Sequence, residues 1–223
     1  MSTLSNVSHR AGGTLPVSTD PLSRALPKAI STSGVSVSYV PSPDKQWYVF
    51  RASYGREVKA ADHLIEDGTY AYVARRIVRR QAGGKSRLGH ASLLPNLLFA
   101  YTTSAQADDY VYRTPSLSYL TYYYNHFVHT IDQKNPPLTV PCGEMENFVR
   151  ATCSMNEHLM VVASGQCHYK SGDQVVVTDG VFKGVTGRVA RVSGQQRVVL
   201  SLSQLGLIAT AYIPTAFIQK TEV

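Results

Sequence analysis

The stretch VVVTDGVFKGVTGRVARV, Val175–Val192, decides how the chain is read. Three glycines, Gly180, Gly184 and Gly187, stand before a run that alternates valine with alanine or arginine. A phosphate-binding loop needs a Gly-Lys-Ser/Thr run entering a helix, so that backbone N–H groups face the anion. Here Lys183 precedes a glycine, and the residues that follow alternate as a strand does. The glycines are therefore expected to make turns and a bulge, where positive φ or close backbone approach is needed.

Working outward, QRVVLSL and LGLIATAYI follow as further short strands, with Ser193-Gly194 as a turn between strands. Several short strands within so few residues suggest a small β-barrel, expected over residues 169–223. Upstream the pattern mixes strand and helix. KQWYVFRAS alternates Trp47, Val49 and Arg51 with Gln46, Tyr48 and Phe50, as a strand buried mostly on one face would. REVKAADHLIEDG places Val58, Ala61 and Ile65 on one helical face, with Gly68 where a C-terminal cap belongs. TYAYVARRIVRR reads as a strand running into Gly83-Gly84, and SLLPNLLFAYTT as another, interrupted near its start by Pro95. SAQADDYVYR suits a short helix, SYLTYYYNHFV an aromatic strand, and VPCGEMENFVRATCS a helix with Met145, Phe148, Val149 and Cys153 on one face. The expected fold is α+β, a small sheet covered by helices on one side over residues 45–162, then a linker at 163–168 and the barrel.

Residues 1–44 are expected to form a disordered tail. Half of the residues as far as Ser42 are Ser, Thr, Pro or Gly, and the few apolar ones keep no period that burial could exploit. The net charge of +7 favours a polyanionic partner. That excess is spread along the chain, with thirteen basic against ten acidic residues between Lys45 and Cys167, so no segment is histone-like. Cys142, Cys153 and Cys167 match no zinc or redox spacing and read as buried or idle thiols of a reducing compartment. No apolar run has the roughly twenty residues of a membrane helix, and a cytoplasmic protein with no membrane contact is expected.

A strand, Asp-Gly, an aromatic residue, Lys-Gly, two residues, Gly, a basic residue and Val resembles the KOW motif of NusG-type transcription elongation factors and of some ribosomal proteins. In this chain the motif residues are Gly180, Lys183, Gly184, Gly187 and Arg188. The order of the chain also resembles NusG-like factors: QWYVFRA, then a helix over Val58 to Asp67, then LLPNLLFAY, all before the barrel. The resemblance implies an RNP-like NGN domain followed by an SH3-like KOW barrel. It implies binding to the clamp helices of RNA polymerase by an apolar pocket lined by Leu94, Pro95, Asn96 and Leu97, with Trp47 or Tyr48 nearby. Leu94 and Leu97 suit either that pocket or the core. The Leu-Leu-Pro-Asn-Leu variant and the serine-rich leader resemble the specialised paralogues that antiterminate capsular or surface polysaccharide operons. A ribosome-associated or general RNA-binding KOW protein is the alternative.

Arg75, Arg76, Arg79, Arg80, Lys85 and Arg87 crowd one stretch without an acid. They suit a solvated hairpin tip or, as the resemblance implies, contact with upstream or non-template DNA and with nascent RNA. Leu205, Leu207 and Ile208 sit where family members dock a ribosomal protein or a termination factor, or they pack under the barrel. The tyrosines of YLTYYYNHF suit a base-stacking platform, but strand propensity explains them equally. His126 and His129, with Glu144 and Glu146 following, are not spaced to aim at one metal in a strand-and-loop setting. The sequence contains no nucleophile elbow and no paired-carboxylate motif. A monomeric, non-enzymatic factor without cofactor or metal is expected.

Overall fold

The computed structural model of the chain describes residues 25–82, 84–126, 128, 134–162, 174–202 and 205–221. The proposed linker, the start of the barrel segment and most of the leader lie outside them.

A short hairpin of β1 (Ala29–Ile30) and β2 (Ser36–Val37) precedes β3 (Gln46–Ala52), the axis of the first sheet. Then come α1 (Glu57–Glu66), β4 (Tyr70–Tyr72), the hairpin β5 (Arg75–Ala82) and β6 (Lys85–Ser92), and β7 (Leu97–Thr102). After α2 (Ser104–Asp108) and a π turn over Asp109–Arg113, β8 (Leu120–Tyr122) and β9 (Thr139–Val140) close the sheet. It is antiparallel throughout: β3 lies between β7 on one side and β8 and β9 on the other, and β4 extends it beyond β7.

Because β3 is central, Trp47, Tyr48, Val49 and Phe50 are buried in succession, not on alternate faces. On the Val49 face, Phe148 of α3 (Cys142–Thr152) meets the rings of Phe99 and Tyr72. On the opposite face Tyr122 stacks on Phe50 at 5.4 Å and donates to Asp108 of α2 at 2.8 Å. Helices therefore cover both faces, where the sequence suggested one. The strand expected in SYLTYYYNHFV is also shorter than read. Ladder pairing ends at Tyr122, and Tyr124 makes only an isolated bridge to Pro137. On α3, Met145, Phe148 and Val149 are buried as expected, but Cys153 is the exposed C-cap and Cys142 is exposed too.

Residues 25–44 depart most from expectation. Instead of a disordered tail they form a strap across the first sheet. Tyr39 packs against Trp47, Tyr70 and Tyr101, with ring centroids 5.7, 5.6 and 4.8 Å away, and its hydroxyl donates to Glu146 at 3.0 Å. Tyr70 donates to the Pro27 carbonyl and Tyr101 to that of Ser42. Thr32 and Ser33 bond Asp62 and Glu66 of α1. A composition poor in apolar residues is ordered here because the few it has meet a ready-made aromatic surface, whose burial offsets the entropy of ordering.

The second sheet is six-stranded and antiparallel, with β10 (Met160–Val162), β11 (Gln174–Val177), β12 (Thr186–Val192), β13 (Gln195–Leu202), β14 (Gly206–Tyr212) and β15 (Ile218–Lys220) in the order β10-β14-β13-β12-β11-β15. β10, within the stretch read as the end of the first domain, pairs with β14 of this sheet. A Cβ on Gly187 would lie 2.5 Å from the Val199 carbonyl oxygen, so only glycine fits where β12 passes β13. Gly180 and Gly184, at φ +79° and +86°, turn the chain between β11 and β12. Asn147 of α3 links the two sheets. Its amide donates to the Thr186 carbonyl at 2.7 Å and accepts from the Thr186 N–H at 2.8 Å, as a neighbouring strand would. The mixed architecture of few helices and antiparallel sheets fits an NGN domain.

Candidate functional site

The turn between β6 and β7 carries the residues expected to line a pocket. The Leu97 N–H donates to the Leu94 carbonyl and closes it. Leu94 is buried, Pro95 is exposed, and Leu97 is half-buried opposite Arg51 of β3. Asn96 adopts φ +64°, a left-handed conformation that asparagine tolerates better than most residues. Its carbonyl accepts from the Ala52 N–H at 2.8 Å, and its Oδ1 accepts from the Gly55 N–H at 2.9 Å. Asn96 thereby fixes the loop after β3. Trp47 has no exposed surface and Tyr48 is buried, so both pack as core and neither lines an open groove. Sequence could not show this, because the ring that encloses Trp47 comes from Tyr39.

The loop held by Asn96 presents an arrangement that no sequence motif marks. Tyr54 is 91% exposed and left-handed, at φ +61°. The Arg56 guanidinium lies 3.9 Å from the centroid of the Tyr119 ring and 5.4 Å from that of Tyr54, while its Nε donates to the Ser53 carbonyl at 3.1 Å. Tyr119, Arg56 and Tyr54 are thus layered, outward from a buried ring to an exposed one. The available signal was an aromatic residue between Ser53 and Gly55, a turn setting that gives it no core to enter.

The basic cluster falls on the β5–β6 hairpin, a separate two-stranded ribbon anchored at its base by Leu93 to Ala74 and Ile77 to Met155 backbone bonds. Its register divides the cations. Arg76 and Arg80 share one face with Arg87 and Lys85, and Arg80 stands directly opposite Arg87. Arg75 and Arg79 lie on the other face, which also carries Ile77, Leu88 and His90. Arg79 lies 3.9 Å from Glu157, a pair mostly in water. Like charges directly opposite destabilise a bare ribbon; Arg80, Lys85 and Arg87 are all exposed, so the face is suited to receiving an anion.

In the second sheet, Lys183 and Arg188 are exposed beside the turn glycines. Leu205 is half-buried and Ile208 is buried, while the Leu207 side chain lies outside the described residues. Of the two whose burial is described, Leu205 keeps some surface and Ile208 does not. In the aromatic segment, Tyr122 lies 6.1 Å from Tyr124 and 6.1 Å from Tyr112 of the π turn, and both neighbours keep part of their rings in water. Tyr122 packs inward, where burial and its bond to Asp108 push its hydroxyl pKa up. His126 bonds Asn135, and His129 lies outside the described residues. Among the described residues no group of three or more His, Cys, Asp or Glu is placed to hold a metal, and no helix is long and apolar enough to cross a membrane.

Residues 45–149, which include β3, the Asn96 turn, the hairpin and most of α3, match the model of the NusG family, described as Transcription termination factor nusG. The match supports a transcription factor of the NusG kind. Among curated proteins no match is found.

Proposed function

We propose that this chain is a transcription elongation factor that binds RNA polymerase, suppresses pausing and termination, and serves particular operons as an antiterminator, those for capsular polysaccharide being the class its sequence resembles. The observation that carries the reading is the NusG match over residues 45–149, within which the Leu94–Leu97 turn reaches the surface through Pro95 and Leu97. An amphipathic helix of the polymerase clamp, laid against that turn, would bury apolar surface on both partners. The work is done by contact alone, without a catalytic residue or cofactor. The β5–β6 hairpin would meet upstream or non-template DNA, or nascent RNA, through its basic face. The second sheet would serve as the KOW module, receiving a ribosomal protein or termination factor near Leu205. The factor acts as a monomer in the cytoplasm.

Capture of purified RNA polymerase by the immobilised chain tests this reading. Wild type captures the enzyme and Leu97→Asp does not, while circular dichroism shows that the variant is folded. Undiminished capture by folded Leu97→Asp removes the turn from the interface, and no capture by wild type overturns the function.

A further inference from the structure

At the edge of the first sheet lies a cavity of about 290 Å³, close to the lower limit of small-molecule sites. Residues 27–30 of the strap, α1, the strand β4 and the end of α3 wall it. Two of those walls, the strap and the residues that end α3, lie outside the span 45–149 that matches the NusG family, so the cavity belongs to this chain more than to the match. The walls are fixed. Tyr70 donates to the Pro27 carbonyl at 2.6 Å, and Thr32 and Ser33 tie the strap to α1. The Ile77 N–H donates at 3.0 Å to the carbonyl of Met155, which is held left-handed at φ +49°. A site whose walls are already in place loses little entropy on filling.

The lining is apolar, and its unused polar capacity is cationic. Val58, Ile65, Val73 and Met155 supply apolar surface. Most polar side chains that line the cavity are engaged elsewhere. Asp62 accepts from the Thr32 N–H at 3.0 Å and from the Thr32 hydroxyl, Tyr72 and Thr152 share a hydroxyl bond at 2.6 Å, and the Cys153 thiol donates to the Arg150 carbonyl at 3.3 Å. The side chains of Lys28 and Arg75 also line the cavity, and among the described residues neither enters a hydrogen bond or an ion pair. Lys28 is exposed, and Arg75 is half-buried on the hairpin face opposite to that of Arg80 and Arg87. A neutral apolar ligand would leave both charges idle. An apolar body that carries a carboxylate uses the whole cavity, since the guanidinium fork matches a carboxylate and the body leaves water.

We propose that this cavity binds a small amphipathic carboxylate, an apolar chain or ring bearing one carboxyl group, independently of polymerase and of nucleic acid. The apolar body lies against Val58, Ile65 and Val73, and the carboxylate meets Arg75 and Lys28.

Isothermal titration calorimetry of the full chain with octanoate, and with octanol as the uncharged control, tests the proposal. Octanoate binds with one molecule per chain, and octanol binds about ten-fold more weakly or worse, the range for losing hydrogen bonds between charged groups. Arg75→Gln weakens octanoate by about the same ten-fold and leaves octanol unchanged. Lys28→Gln gives a smaller loss of about two- to five-fold, that of an ion pair in water. Val58→Trp, which fills the cavity, abolishes binding of both while circular dichroism shows the variant folded; should it not fold, the two charge variants decide the question. No octanoate binding by wild type overturns the proposal. Octanoate affinity equal to wild type in folded Arg75→Gln and Lys28→Gln overturns it too, as does octanol binding as tightly as octanoate. Polymerase takes no part in the titration, so this site can fail while the elongation-factor reading stands, and the reverse.

Discussion

β3 and the β5–β6 hairpin are both strands rich in β-forming residues, and they spend their side chains in opposite ways. β3 buries four residues in a row, because β7, β8 and β9 flank it and helices lie on both faces. Among the described residues the hairpin forms a two-stranded sheet of its own, and it presents Arg80, Lys85 and Arg87 to water. Strand propensity is the same in kind; what differs is whether other elements cover the faces. Substitutions in β3 should therefore act on stability and those in the hairpin on binding.

The largest expected effect lies in β3. Trp47→Ala removes a fully buried ring that meets Tyr39, Tyr70 and Tyr101, and should cost about 3 to 5 kcal/mol, read as a lowered denaturant midpoint. A cost under about 1 kcal/mol, within the range of surface substitutions, would mean that β3 is not the axis of the core.

A middle effect comes from pH. Burial raises the hydroxyl pKa of Tyr39, Tyr72 and Tyr122, and pushes that of Tyr70 from 10.0 up to about 12. In the unfolded chain these groups ionise near pH 10, while in the folded chain they hold their protons longer, so the native state binds more protons above that pH. Stability should be flat below about pH 10 and fall from there through the folded-state values. Thermal melts across that range check it. A melting temperature that stays level or rises beyond pH 10 would show that the strap and sheet tyrosines are not buried as described.

The smallest effect on stability belongs to the hairpin. Arg80→Glu replaces a like-charge pair with Arg87 by an opposite one and should stabilise the fold by a few tenths of a kcal/mol, about 0.2 to 1 at most. The same variant should weaken binding to duplex DNA and flatten its salt dependence, since one phosphate contact is lost. If Arg80→Glu destabilised the fold as much as Trp47→Ala, the hairpin would be a structural element and the contrast with β3 would collapse.

Local chemistry was legible in the sequence. The glycines of Val175–Val192 make turns and a close approach, and α1 lies where the period of Val58, Ala61 and Ile65 puts it, whereas Pro95 stands in the turn ahead of β7, so that strand begins at Leu97 and does not include SLL. What escaped depends on partners distant in the chain. Tyr39 orders residues 25–44 by entering a pocket built from Trp47, Tyr70 and Tyr101, which no composition window can register. The same contact encloses Trp47, which the sequence alone leaves open to a partner. Among the site residues, the register of the hairpin could be read only from the ladder, which divides six cations into a face of four and a face of two. Asn96 was expected to line a pocket, and its side chain instead fixes the loop that carries Tyr54.

The most direct test of the account is single-round transcription by RNA polymerase from the protein's own source, on a template with a strong pause, with and without the full chain. Wild type should shorten the dwell at the pause and raise read-through, Leu97→Asp should lose that effect while remaining folded, and Trp47→Ala should lose it in proportion to unfolding. Pause dwell and read-through unchanged by wild-type protein, on every template tried, would contradict it.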